Sequence, residues 1–142
     1  MSGRPKLPVE TPREWIRHAS EDPGVAEREM QYEAPAYHTV CFLCQGSAEK
    51  YLKGYLIAQG WVLKKTHDIA ELLELCTEYD SKFEELLEAG TVLNEYITAG
   101  RYPGDIAFES LGEAEAQEAV GITRRVRAMV VARLLVDGSA GN

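Results

Sequence analysis

Three stretches of this chain carry residues whose types and spacing suit proton transfer or the binding of an anion. In Lys64-Lys65-Thr66-His67-Asp68 a histidine stands at the start of a helix. It could serve as a base, ligate a metal, or meet a phosphate where unpaired helix N–H groups favour anions. It could equally bond locally and only organise its turn. In Arg101-Tyr102-Pro103-Gly104 a guanidinium suited to phosphate stands beside a tyrosine suited to base stacking, on a turn stiffened by proline and glycine. The plain alternative is an interhelical turn with Arg101 paired to a carboxylate. In Cys44–Gly54, Gly46, Glu49, Lys50 and Lys53 share one face of a helix, opposite the stripe Cys41, Ala48 and Tyr55. Glu49 and Lys53 make a favourable i,i+4 pair, and a solvated face is the plain reading. Gly46 costs a helix about 1 kcal/mol relative to alanine, which close approach by a helix or a ligand would justify.

Other chemistry is poorly supplied. Cys41 and Cys44 have the spacing of a redox or zinc pair, but they lie well inside a helix and only Cys76 could join them. They read as core residues, and the odd count of three cysteines argues against a disulfide framework. Arg124, Arg125, Arg127 and Arg133 form a basic cluster that also suits a helix C-terminus. There is no phosphate-cradling glycine loop, no pair of metal-binding histidines and no serine elbow. Neither a metal nor a cofactor is expected.

The elements that must position these residues are all helical. Thr11-Pro12-Arg13-Glu14 is a capping box with proline at the first helical position. Helix 1 follows, and Asp22-Pro23-Gly24 should kink or restart it. Helix 2, from about residue 35 to 59 before Gly60, repeats apolar residues every three or four positions, widened by Val40, Leu43, Leu52 and Leu56. That arc marks the central helix. Helix 3 starts at Asp68 with Glu71 as its reciprocal cap. Boxes at Ser81-Lys82-Phe83-Glu84 and Ser110-Leu111-Gly112-Glu113 open helices 4 and 5, the last running to about Val136. Short loops then give an all-α, up-and-down antiparallel bundle of four to five helices in a single domain over 11–136, with mobile tails at 1–10 and 137–142.

Composition limits the partners. The apolar share of 45% and charged share of 27% describe a soluble globular chain, and no run is long enough to span a membrane. With no leader-like N-terminus, a cytoplasmic location is expected. The net charge of -8 excludes a general nucleic-acid coat. Residues 68–118 hold fourteen acidic and two basic residues, so any nucleotide or RNA contact needs a local basic cluster. The apolar arc of helix 2 reads as too wide for its neighbours to bury, and surplus of that kind predicts a homodimer.

Taken in order, Gln45–Lys53, Thr66-His67-Asp68 with Leu72-Leu73-Glu74-Leu75, and Arg101-Tyr102-Pro103 resemble HEPN-domain proteins. Trp15-Ile16 with Glu21-Asp22 resembles the first helix of that family, and the likeness extends roughly from Trp15 to Leu135. The resemblance implies a helical bundle, commonly dimeric. Small members are proposed to bind nucleotides and often act beside a separate minimal nucleotidyltransferase. Others are ribonucleases whose arginine and histidine lie four to six residues apart near the later helices. Here no histidine follows Arg101 at that spacing, and Arg13 and His18, which have it, stand on helix 1. Leu43 replaces a frequent family histidine, and Gly46 a frequent glutamine.

The leading expectation is thus a non-catalytic HEPN protein, a nucleotide-binding or accessory partner of a minimal nucleotidyltransferase in a toxin–antitoxin-like module. Its ligand-binding residues would be His67, Arg101, Lys53, Lys50 and Tyr102. No residue is assigned a catalytic role. The alternatives are a ribonuclease toxin, using His67 with Arg101 or His18 with Arg13, and a structural dimer without ligand. Antiparallel alternation predicts that His67 and Arg101 meet at one end of the bundle, with Lys53 nearer to them than Lys50.

Overall fold

The structure is a computed structural model of the chain, and it describes residues 11–32, 36–99 and 111–137. These form α1 (Pro12–Ala19), α2 (Glu21–Glu29), α3 (Tyr37–Ala58), α4 (Ile69–Tyr79), a 3-10 helix (Ser81–Leu86), α5 (Leu87–Ala99) and α6 (Glu113–Asp137), with no strand among the described residues. The expected all-α bundle is the observed fold. The expected tails at 1–10 and 137–142, apart from Asp137, which ends α6, and the box residue Ser110 lie outside the described residues.

α3 is the axis of the bundle. It packs against α1, α2, α4, α5 and α6, and twelve of its residues are buried. The apolar arc is therefore covered within one chain, apart from the exposed Phe42. α6 is its largest neighbour, and it buries Ala116, Ala119, Ile122, Val126, Val130 and Leu134 at spacings of three and four. At its C-terminal end α3 stops in a Schellman turn. Gly60 adopts φ 95°, Gly60 N donates to Ile57 O and Trp61 N to Leu56 O, both at 3.0 Å. Its N-terminus has no side-chain cap of its own, and Glu29 at the end of α2 accepts from Ala36 N at 2.8 Å instead.

Local signals placed most helices and misplaced some boundaries. Thr11 caps α1 by accepting from Glu14 N at 3.2 Å. The first helical stretch breaks at Ser20, not at Pro23. Pro23 falls in the first turn of α2, where its missing N–H is one that no helical carbonyl would have reached. The box predicted to open the fourth helix is also shifted. Asp80, rather than Ser81, accepts from Lys82 N, and six residues of 3-10 helix precede α5. α4 and α5 are joined by this tight connection, and Asn94 in the second half of α5 bonds the start of α4, so the two run antiparallel.

Candidate functional site

Gln45, Glu49 and Lys53 stand four residues apart and make one polar line along the central helix. The solvated-face reading fails for this line. Lys53 is 4% exposed, and a lysine so removed from water needs a counter-charge. Glu49 Oε2 accepts from Lys53 Nζ at 2.7 Å, and the ammonium lies 5.7 Å from the centroid of the Trp15 ring. α1 reaches this position because Gly54 has no side chain. A Cβ there would stand 3.0 Å from Trp15 Cβ and 3.1 Å from Ile16 Cδ1.

Glu49 also holds His67, with both carboxylate oxygens 3.0 Å from Nδ1. An ionised carboxylate only accepts, so Nδ1 carries the hydrogen and Nε2 is the nitrogen left for other contacts. The ring itself is well exposed, at 76% of its side-chain surface. Its backbone is fixed separately, because the buried Gln45 donates from Nε2 to His67 O at 3.0 Å. From the other side α5 grips the next residues. Asn94 Nδ2 donates to Asp68 Oδ1 at 2.7 Å, and Asn94 Oδ1 accepts from Ile69 N at 2.8 Å. The segment His67–Ile69 is thus clamped between α3 and α5.

Asp68 caps α4 by accepting from Glu71 N at 3.1 Å. This backbone N–H, followed by the Asn94 amide, holds its carboxyl below the usual carboxylate range. The reciprocal half of the expected cap is indirect. Asp68 N donates to Thr66 Oγ1, and Thr66 Oγ1 donates to Glu71 Oε1 at 2.8 Å. Since Ile69 N and Glu71 N are both occupied, a phosphate at His67 would rely on side chains more than on the helix amides.

The remaining candidates separate from this cluster in different ways. Lys50 is half-buried on α3, one residue from Glu49. Arg101 and Tyr102 lie outside the described residues, as does any contact between Arg101 and His67. Arg13 and His18 lie five residues apart on α1, about 140° apart around its axis, and so do not converge. His18 Nδ1 is 3.8 Å from Glu21. The cysteines are buried core residues, and burial pushes the Cys41 thiol up to about 12 and Cys76 higher still. No cluster of metal-ligating side chains occurs among the described residues, and none of their helices is long and apolar enough to cross a membrane.

Two residues of the clamp were not singled out from sequence, Gln45 and Asn94. Gln45 did leave a signal, an amide in register with Glu49 and Lys53 on the central helix. Asn94 left none.

A family model described as HEPN domain matches residues 12–134. Among solved structures, one described as an archaeal HEPN homologue aligns with a TM-score of 0.70 at 28% identity, covering 87% of this chain and 98% of that chain. No curated protein matches the chain.

Proposed function

This chain belongs to the HEPN domain family, and we propose that it is a non-catalytic member that binds a nucleotide by its phosphate at the His67 end of the bundle. In this reading it works beside a separate minimal nucleotidyltransferase, in a toxin–antitoxin-like module. The observation that supports it is the His67 ring, oriented through Nδ1 by Glu49 yet 76% exposed. A ring fixed on one nitrogen offers the other to a ligand in a defined direction. Lys53 serves this site through Glu49, since its charge is already matched there. Arg101, with Tyr102 beside it, is the proposed second contact, and Lys50 the proposed flanking cation. The proposed homodimer rests on the family resemblance, because the α3 arc that suggested it from sequence is buried within the chain. Light scattering that returned a monomer at high protein concentration would remove it.

A thermal-shift panel of nucleotides tests the ligand, because selective binding to the folded state must raise the melting temperature. The expected outcome is a shift with at least one nucleotide that disappears in His67→Ala and weakens in Arg101→Ala. A panel without any shift ends the proposal.

The ribonuclease reading gains one specific support, the carboxylate that orients His67, an arrangement used by histidine bases. It lacks the family spacing of arginine and histidine. We expect no cleavage of single-stranded RNA by the protein alone. Cleavage that vanished with His67→Ala would make the ribonuclease the better reading.

A further inference from the structure

On the flank of α3 away from Glu49, a cavity of about 460 Å³ opens between α2, α3 and α6. That volume suits a small organic molecule. Pro23, Cys44 and Val120 form part of its wall, and Tyr51, Arg124 and Arg127 contribute its polar groups.

The hydroxyls around this cavity differ in one respect. Ser20 Oγ donates to Arg17 O at 2.9 Å, and Thr123 Oγ1 donates to Cys44 O at 3.2 Å. Tyr51 Oη is fully buried and meets no hydrogen-bond acceptor among the described residues, the Arg127 guanidinium beside it being a donor only. Leaving a buried polar group unmet costs about 1–3 kcal/mol. Burial raises the Tyr51 pKa, against a smaller lowering effect of Arg127, so at neutral pH the phenol keeps its proton. A protonated phenol needs an acceptor, and an arginine offers only donors. Arg127 therefore cannot complete it.

The arginines differ too. Arg124 donates to Glu27 Oε2 from Nε at 3.2 Å and from Nη2 at 2.9 Å, which neutralises it. Arg127 makes no ion pair among the described residues and its side chain is exposed. An uncompensated guanidinium and a hydroxyl without an acceptor are both completed by the same kind of atom, the oxygen of an anion.

We propose that this cavity binds a small organic anion, with a phosphate or carboxylate head between Tyr51 and Arg127 and an apolar body against Pro23, Cys44 and Val120. Arg127, long and exposed, turns to admit the head, because Tyr51 Oη is closed to solvent. The site is independent of His67, and its occupancy would tie α2 and α6 to the central helix.

The test is calorimetric titration of the full chain with phenyl phosphate, benzoate and inorganic phosphate. Wild type, Tyr51→Phe, Arg127→Gln and His67→Ala are compared. Tyr51→Phe keeps the ring and its packing, so folding is preserved. Binding of phenyl phosphate or benzoate is expected, weakened roughly tenfold in Tyr51→Phe and in Arg127→Gln and unchanged in His67→Ala. Phenyl phosphate alone binding assigns a phosphate head, and benzoate alone a carboxylate. The proposal is overturned if no probe binds wild type at about 10 mM, or if Tyr51→Phe binds as well as wild type, either of which leaves the hydroxyl to a trapped water. Loss of binding in His67→Ala with retention in Tyr51→Phe overturns it as well, by placing the anion at the other end of α3.

Discussion

Glu49 holds the ring of His67, a residue 18 positions further along the chain, with both carboxylate oxygens 3.0 Å from Nδ1. The same carboxylate neutralises Lys53 at 2.7 Å. One side chain thus keeps a buried cation tolerable and aims an exposed imidazole. The two roles predict unequal consequences for the two ends of the pair.

Glu49→Gln should destabilise the protein by about 3 kcal/mol, since it leaves the Lys53 ammonium buried without its counter-charge. Lys53→Met should cost about 1 kcal/mol or less, because methionine fills the space beside Trp15 and Glu49 keeps His67. Urea unfolding of both variants measures the difference. Equal losses would mean that Lys53 is not desolvated as the structure places it.

Gly54→Ala should destabilise by about 1–3 kcal/mol, as the new methyl meets Trp15 Cβ at 3.0 Å and pushes α1 off the central helix. Gly121→Ala is the opposite case. Nothing lies within 4 Å of its added Cβ on α6, so the gain in helix propensity should stabilise by about 0.5–1 kcal/mol. Thermal melts of the pair should move in opposite directions.

Asp68 and Asp80 both have carboxyls held below their ordinary pKa of 3.8, chiefly by the backbone N–H of Glu71 and of Lys82. Groups lowered on folding add stability that is complete above the ordinary value. It is lost as pH falls through the lowered one. The double variant Asp68→Asn, Asp80→Asn keeps an oxygen for each cap but cannot titrate. Its unfolding free energy should fall less steeply than that of wild type from about pH 5 downward. Parallel curves would show that other carboxylates govern the acid limb.

Asn94→Ala should cost about 1–3 kcal/mol, because Ile69 N would lose its acceptor in a partly buried position. Hydrogen exchange should show faster opening at the first turn of α4 while α6 keeps its protection. Uniform acceleration across the chain would refute the local clamp.

Cys41, Cys44 and Cys76 should react with a thiol reagent only as the protein unfolds, since all three are buried and the Cys41 thiol is pushed up to about 12. Rapid labelling of a native thiol would contradict the core assignment.

The sequence by itself determined what repeats within a few residues. The helices, the Thr11 and Asp68 caps, the stop at Gly60 and the core role of the cysteines all follow from periodicity and local backbone hydrogen bonding. The polar line on α3 was visible in the same way, as residues four apart. Its environment was not. Helical spacing groups Glu49 with Lys53 but cannot say that α1 covers them through the gap at Gly54, so a face that reads as solvated is in fact desolvated. Nor could it show that Glu29 caps α3, that Asn94 takes Ile69 N, or that Tyr51 is the buried hydroxyl left without an acceptor among the described residues. These are partnerships across 7 to 26 residues, or vacancies between helices. Tertiary structure alone decided them, because burial and hydrogen-bond satisfaction depend on which helix lies alongside, and that is a property of the packed chain.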